Sequence, residues 1–143
     1  MLLRELELED YKKGFVECLK ELTEVGDISE EAFLKRYNKI KYKEIYIIVA
    51  EENNVVVGAG TVFFEPKFIR NLGTKAYIED IVVRGKYRGR GIGKKIIEKL
   101  VEYAKSNNVY KIVLCCDENK VKFYEKCGFE RKGVEMVMYR VDK

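Results

Sequence analysis

The sequence predicts one α/β (α+β) domain over residues 1–143, on three observations. Segments rich in Ile, Val and Tyr alternate with segments whose apolar residues recur at helical spacing. A basic, glycine-rich stretch, Arg84–Lys95, joins one strand-like segment to the most regular helical one. The 143 residues, 47% of them apolar, suit one domain around one core, and a single Pro with 11 Gly argues against a long disordered stretch.

Taken in order, Leu2–Leu8 reads as a first strand. Asp10 is placed to cap a helix carrying Tyr11, Phe15, Val16, Leu19 and Leu22 on one face. Thr23-Glu24-Val25-Gly26 breaks it, and Ser29 caps a second helix with Phe33, Leu34, Tyr37 and Ile40 on one side. Glu44–Ala50 and Val55–Glu65 read as strands of a hairpin closed at Glu52-Asn53-Asn54. Asn71-Leu72-Gly73 is a loop before the strand Lys75–Val83. The helix from about Gly91 to Lys105 puts Ile92, Ile96, Ile97, Leu100 and Ala104 on one face. Tyr110–Cys116 reads as a strand, Asn119–Lys126 as a short helix stopped by Gly128, and Val134–Tyr139 as a last strand.

Composition narrows the chemistry. The chain has 28 basic and 24 acidic residues, a net charge of +4, which is too mild to call for nucleic acid as a partner. No stretch has the length and apolarity of a membrane span, and Met1-Leu2-Leu3-Arg4-Glu5 does not begin a secretory signal, so the expected address is the cytosol. There is no His, and Cys18, Cys115, Cys116 and Cys127 form no Cys-x-x-Cys pair. A zinc site is therefore not expected, nor any mechanism with a histidine base.

The Arg84–Gly93 stretch is suited to hold a phosphate. A loop that leaves a strand and opens a helix aims free N–H groups and the positive end of the helix dipole at an anion. Glycines permit close approach, and Arg88, Arg90 and Lys94 add charge. A Walker loop needs Ser or Thr after Gly-Lys, but Gly93-Lys94 is followed by Lys95. A dinucleotide fingerprint needs a third Gly where Lys94 stands. What remains is Arg88-x-x-Gly91-x-Gly93, or else a plain glycine-rich turn with solvated basic side chains.

That pattern resembles the coenzyme A pyrophosphate loop of the GNAT N-acetyltransferase family. The resemblance extends through Ile78-Glu79-Asp80-Ile81-Val82-Val83, Tyr110-Lys111-Ile112-Val113-Leu114 and Phe123-Tyr124-Glu125-Lys126-Cys127-Gly128-Phe129. The last piece is common to many acetyltransferases. Ile78-Glu79-Asp80 and Leu22-Thr23-Glu24-Val25-Gly26 are narrower and resemble the members that acetylate glucosamine 6-phosphate for UDP-N-acetylglucosamine synthesis. The resemblance implies a mixed, mostly antiparallel central sheet flanked by helices and splayed between two central strands. It implies acetyl-CoA as co-substrate, held in the splay by the backbone of Ile81, Val82 and Val83. It further implies a pyrophosphate site at Arg88, Gly89, Arg90, Gly91, Ile92, Gly93 and Lys94, a contact at Asn119, and a homodimer with the substrate site near the interface.

Attack of an amine on a thioester needs a neutral amine, a stabilised oxyanion and a proton for the leaving thiolate. By the same resemblance Tyr124 is the candidate proton donor, against the plainer role of a packed core ring. Glu79 is the candidate base or amine orienter. On a regular strand Glu79 and Asp80 face opposite ways, so one is expected at the substrate and the other turned away. Lys111 and Arg131 are candidates for a sugar phosphate, with Thr23, Gly26 and Asp80 as further acceptor contacts. The chain departs from the family in two places. Cys115 stands where the family usually has an acid, with Asp117 two residues on as a substitute facing the same way. Asn119 is separated from Val121 by Lys120, where the family's Asn directly precedes Val. Other readings stay open: another amine, such as a protein N-terminus or a polyamine, or a non-catalytic acetyl-CoA-binding module.

Overall fold

A computed structural model describes residues 1–140. The elements run β1 (Leu2–Glu5), a 3-10 turn (Leu8–Tyr11), α1 (Phe15–Leu19), α2 (Glu30–Lys41), β2 (Ile45–Glu52), β3 (Val55–Pro66), α3 (Ile69–Leu72, one irregular turn), β4 (Thr74–Val83), α4 (Ile92–Lys105), β5 (Lys111–Val113) and α5 (Val121–Lys126). Five strands form one sheet in the order β1-β2-β3-β4-β5. The first three pairings are antiparallel, and β4–β5 is parallel. The parallel pair follows from the crossover through α4, because a strand that returns by way of a helix runs in its predecessor's direction. The mixed, mostly antiparallel sheet expected from the sequence is therefore present.

Strand alternation divides the core into two layers. Ile48, Ala50, Val57, Val62, Ala76 and Ile78 face α4, which buries Ile92, Ile96, Ile97, Leu100 and Ala104, the face read from its spacing. Val49, Val56, Ala59 and Val82 face the other way, against Leu6, Phe15, Val16, Cys18 and Phe33. The β2–β3 turn places Asn53 and Asn54 at φ 52° and 63°, the left-handed pair a two-residue hairpin loop requires. Ser29 caps α2 by accepting the Ala32 N–H at 3.1 Å.

Three expectations are corrected. Asp10 caps no helix at Tyr11. It is fully buried, accepts the Glu7 N–H at 2.7 Å and takes both outer nitrogens of Arg4 at 2.7 and 2.9 Å. The first helix instead begins after Gly14, whose φ of 86° breaks the chain there. The strand expected over Tyr110–Cys116 is laddered only at Lys111–Val113, and residues 114–117 leave the sheet. Val134–Tyr139 forms no strand among the described residues. Its composition favours an extended chain, but a strand needs an edge to pair with, and no such pairing is made there.

Candidate active site

The cleft begins where the sheet stops pairing. β4 and β5 are in register at Lys75–Lys111, Ala76–Ile112 and Tyr77–Val113, and beyond Tyr77 and Val113 they diverge. Between the diverging stretches lies an open cleft of about 1090 Å³. Ile78 to Val83 line one wall, and Leu114, Cys115, Cys116, Asp117, Asn119, Lys120, Phe123 and Tyr124 line the other. One edge of β4 thus has no strand partner over this length and is available to something extended.

At one end lies the glycine-rich loop. Arg88, Gly89, Gly91, Ile92, Gly93 and Lys94 all line the cleft. Gly89 and Gly91 have φ of 80° and 78°, which a side chain would strain. Gly91 is the N-cap of α4 and offers no side-chain acceptor to the first-turn N–H groups, so those donors remain for an anion. Arg88 Nε donates to the Val83 carbonyl at 3.0 Å, which joins the loop to the end of β4. The loop is anchored further by Glu21, which accepts the Gly85 N–H at 2.7 Å and also lines the cleft. Arg90 is directed elsewhere, over the Tyr87 ring at 5.1 Å and towards Glu52 at 3.9 Å.

The carboxylates depart from strict alternation. Both Glu79 and Asp80 line the cleft. The cause is a β-bulge: Thr61 pairs with Glu79 and Ala59 with Val82, so two residues of β4 oppose Gly60 alone. Asp80 takes φ of 54° there. Gly60, the residue opposite, has no room for a side chain: a Cβ there would lie 2.6 Å from Ile81 Cδ1, 2.7 Å from Ile96 Cγ2 and 2.9 Å from Leu100 Cδ1. Burial raises the Glu79 proton affinity, and the negative charges of Asp80 and Glu135 raise it further.

On the facing wall, Tyr124 is half-buried and packs edge-on against Phe123 and Phe129, at 5.0 and 6.2 Å between ring centroids. Its helix ends as the sequence predicts. Gly128, at φ 98°, donates to the Glu125 carbonyl and Phe129 to that of Tyr124, both bonds of a Schellman cap. Burial pushes the Tyr124 phenol upward, so it stays protonated at neutral pH. The Cys115 thiol is pushed up to about 11 by its contact with the Glu135 carboxylate and by burial, so it is no thiolate nucleophile.

Of the acceptor candidates, Thr23, Glu79, Asp80 and Asp117 line the cleft. Gly26, Lys111 and Arg131 do not, and Arg131 is paired with Glu118. Sequence reasoning missed Glu21, Leu22, Cys116, Lys120 and Glu135 in the lining. Glu21 and Leu22 adjoin the Thr23 motif and are legible with hindsight. No local signal marks Glu135, because it arrives by tertiary placement of the C-terminal segment. Among the described residues no cluster of three or more Cys, Asp or Glu side chains is arranged to hold a metal ion.

Residues 3–129 match the model of the acetyltransferase (GNAT) family. The chain is 46% identical over 140 residues to glucosamine 6-phosphate N-acetyltransferase 1 of Dictyostelium discoideum, across 95% of this chain and 88% of that protein. It is 42% identical to the Arabidopsis thaliana glucosamine 6-phosphate N-acetyltransferase, across 96% and 95%. Its fold matches the crystal structure of glucosamine-6-phosphate N-acetyltransferase from Arabidopsis thaliana with a TM-score of 0.95 at 39% identity, covering 96% of this chain and 97% of that one.

Proposed function

Because this chain belongs to the acetyltransferase (GNAT) family, we propose that it transfers acetyl from acetyl-CoA to the amine of D-glucosamine 6-phosphate. The observation that carries the reading is the unpaired cleft edge of β4, with a phosphate-type loop at one end and carboxylates along its wall. The pantetheine arm, which carries amide groups, takes the place of a strand along Ile81, Val82 and Val83. The pyrophosphate lies on the loop from Arg88 to Lys94, with Asn119 on the opposite wall. The names of the relatives support the sugar phosphate as acceptor.

The residues divide the chemistry as follows. Glu79, made more basic by burial and by its acidic neighbours, takes one proton from the acceptor ammonium. The freed amine nitrogen bonds to the thioester carbon, and an N–H on the unpaired edge of β4 stabilises the resulting oxyanion. Collapse breaks the C–S bond, the Tyr124 hydroxyl protonates the departing thiolate, and the second proton that the nitrogen sheds in becoming an amide returns to the Tyr124 oxygen, so that the net proton released is the one held by Glu79. No covalent enzyme intermediate is needed, and Cys115, held as a thiol, is unsuited to form one. Four unpaired cysteines suit a reducing, cytosolic compartment. The chain also acts as a homodimer, a reading supported by the exposed Val134, Met136 and Met138.

Thiol release measured with acetyl-CoA and a panel of amines tests the reading. Glucosamine 6-phosphate is expected to exceed glucosamine in kcat/KM by about 10- to 100-fold, the worth of one charge-assisted contact to phosphate. Equal values for the two sugars reject the sugar phosphate. Turnover of a polyamine or peptide N-terminus alone assigns another acceptor, and no turnover leaves a binding module.

A further inference from the structure

Beyond Tyr124, only one residue of the described chain lines the cleft, and that is Glu135. It sits in an irregular segment after Gly133, whose φ of 72° turns the chain. Its neighbours Val134 and Met136 are about 90% exposed. In an extended segment adjacent side chains alternate, so the carboxylate reaches the cleft while those two face away. There it meets the Cys115 thiol on one wall and lies within electrostatic reach of Glu79 on the other.

The geometry points to Glu135 as the group that, together with Glu79, grips the ammonium of the acceptor across the cleft. This rests on the acetyltransferase reading above and adds a residue to it. Glu79 carries only influences that disfavour its charge: burial, Asp80 and Glu135. Two carboxylates that line one cleft attract a cation, and a primary ammonium has three donors to share between them. The basic residues of the cleft, Arg88, Lys94 and Lys120, belong to the loop and to the turn before α5, whereas Glu79, Cys115 and Glu135 line the same cleft from other segments. Asp117, the substitute expected from the sequence, begins the 3-10 turn at Glu118–Lys120 and is not among the charges acting on Glu79 or Cys115. Glu135 binds and orients the amine, and Glu79 takes the proton.

Glu135→Gln tests this with native size and no charge. With glucosamine 6-phosphate, or with whichever primary amine the panel selects, KM for the amine is expected to rise about three- to tenfold, as suits a contact on an exposed side chain. KM for acetyl-CoA is expected to stay within twofold. Inhibition by the acetylated product, which lacks the ammonium, is expected to be unchanged. Because residues 115 and 135 touch, Cys115→Asp placed in the Glu135→Gln background returns a carboxylate to nearly the same point and is expected to lower the amine KM again. An amine KM within twofold of native in Glu135→Gln overturns the proposal. So does equal weakening of amine and acetylated product, which marks a distorted cleft, and so does failure of Cys115→Asp to restore the folded double variant. Failure of the sugar-phosphate reading shows separately, in the native protein's choice of amine.

Discussion

Tyr124 separates packing from chemistry because its ring and its hydroxyl have different partners. The ring is fixed between Phe123 and Phe129. The hydroxyl is kept protonated by burial and by the neighbouring Cys116 and Cys127. Tyr124→Phe keeps the first and removes the second. Acetyl-CoA affinity and the unfolding midpoint are expected to stay near native, while the acetyl-transfer step in single-turnover kinetics slows by about 10²-fold, the low end for a positioned acid because the thiolate leaves readily. A native chemical rate assigns Tyr124 to packing and leaves solvent as the proton source. The motif that points to Tyr124 is local, and the residue lies in the cleft lining. The opposite facing expected of Glu79 and Asp80 does not hold, since the rule that neighbours on a strand face opposite ways assumes a regular ladder. For Lys111 and Arg131 the positive charge is visible in the sequence but the placement outside the cleft is not.

At the scale of elements, legibility follows where the determining contacts lie. The α4 face was readable residue by residue because its period is local and its burial complete. The caps at Ser29 and Gly128 were readable because each involves residues within a few positions. The β4 bulge was not, because it is a matter of register against the neighbouring strand, where the residue opposite it, Gly60, lies about twenty residues earlier. Gly60 therefore links core packing to the site. A methyl group there meets Ile81, Ile96 and Leu100 at under 3.0 Å, and Ile96 and Leu100 are fully buried with nowhere to retreat. Gly60→Ala is expected to lose about 1–3 kcal/mol in urea unfolding, the usual cost of overpacking. Its kcat/KM is expected to fall even where the variant is fully folded, because Ile81 adjoins Asp80 in the bulge. Unchanged stability would show that the core relaxes around the methyl group, and unchanged activity would show that the bulge tolerates the shift.

At the scale of the whole molecule, the cleft and the C-terminal segment form one problem. The sequence predicts a strand at Val134–Tyr139 because its residues are β-formers, yet among the described residues the segment pairs with no strand. Along it, Val134, Met136 and Met138 share one face and are all about 90% exposed or more. Burying three such side chains is worth about 1.5–3 kcal/mol each, a gain left unused in the lone chain. In the homodimer proposed above, a second copy of the chain is the candidate cover, and the segment would then hold Glu135 at the cleft through its opposite face. Sedimentation velocity at micromolar concentration is expected to give a dimer. Val134→Lys, Met136→Lys and Met138→Lys together are expected to give a monomer that keeps its core, since none of the three belongs to either buried cluster. If the segment is held by the dimer, the amine KM of that monomer is expected to rise as it does in Glu135→Gln, with acetyl-CoA binding preserved by the loop. A native monomer, or a triple variant that stays dimeric, removes this face from the assembly. A monomeric triple variant with native amine KM would show that the cleft holds Glu135 without help from a second chain.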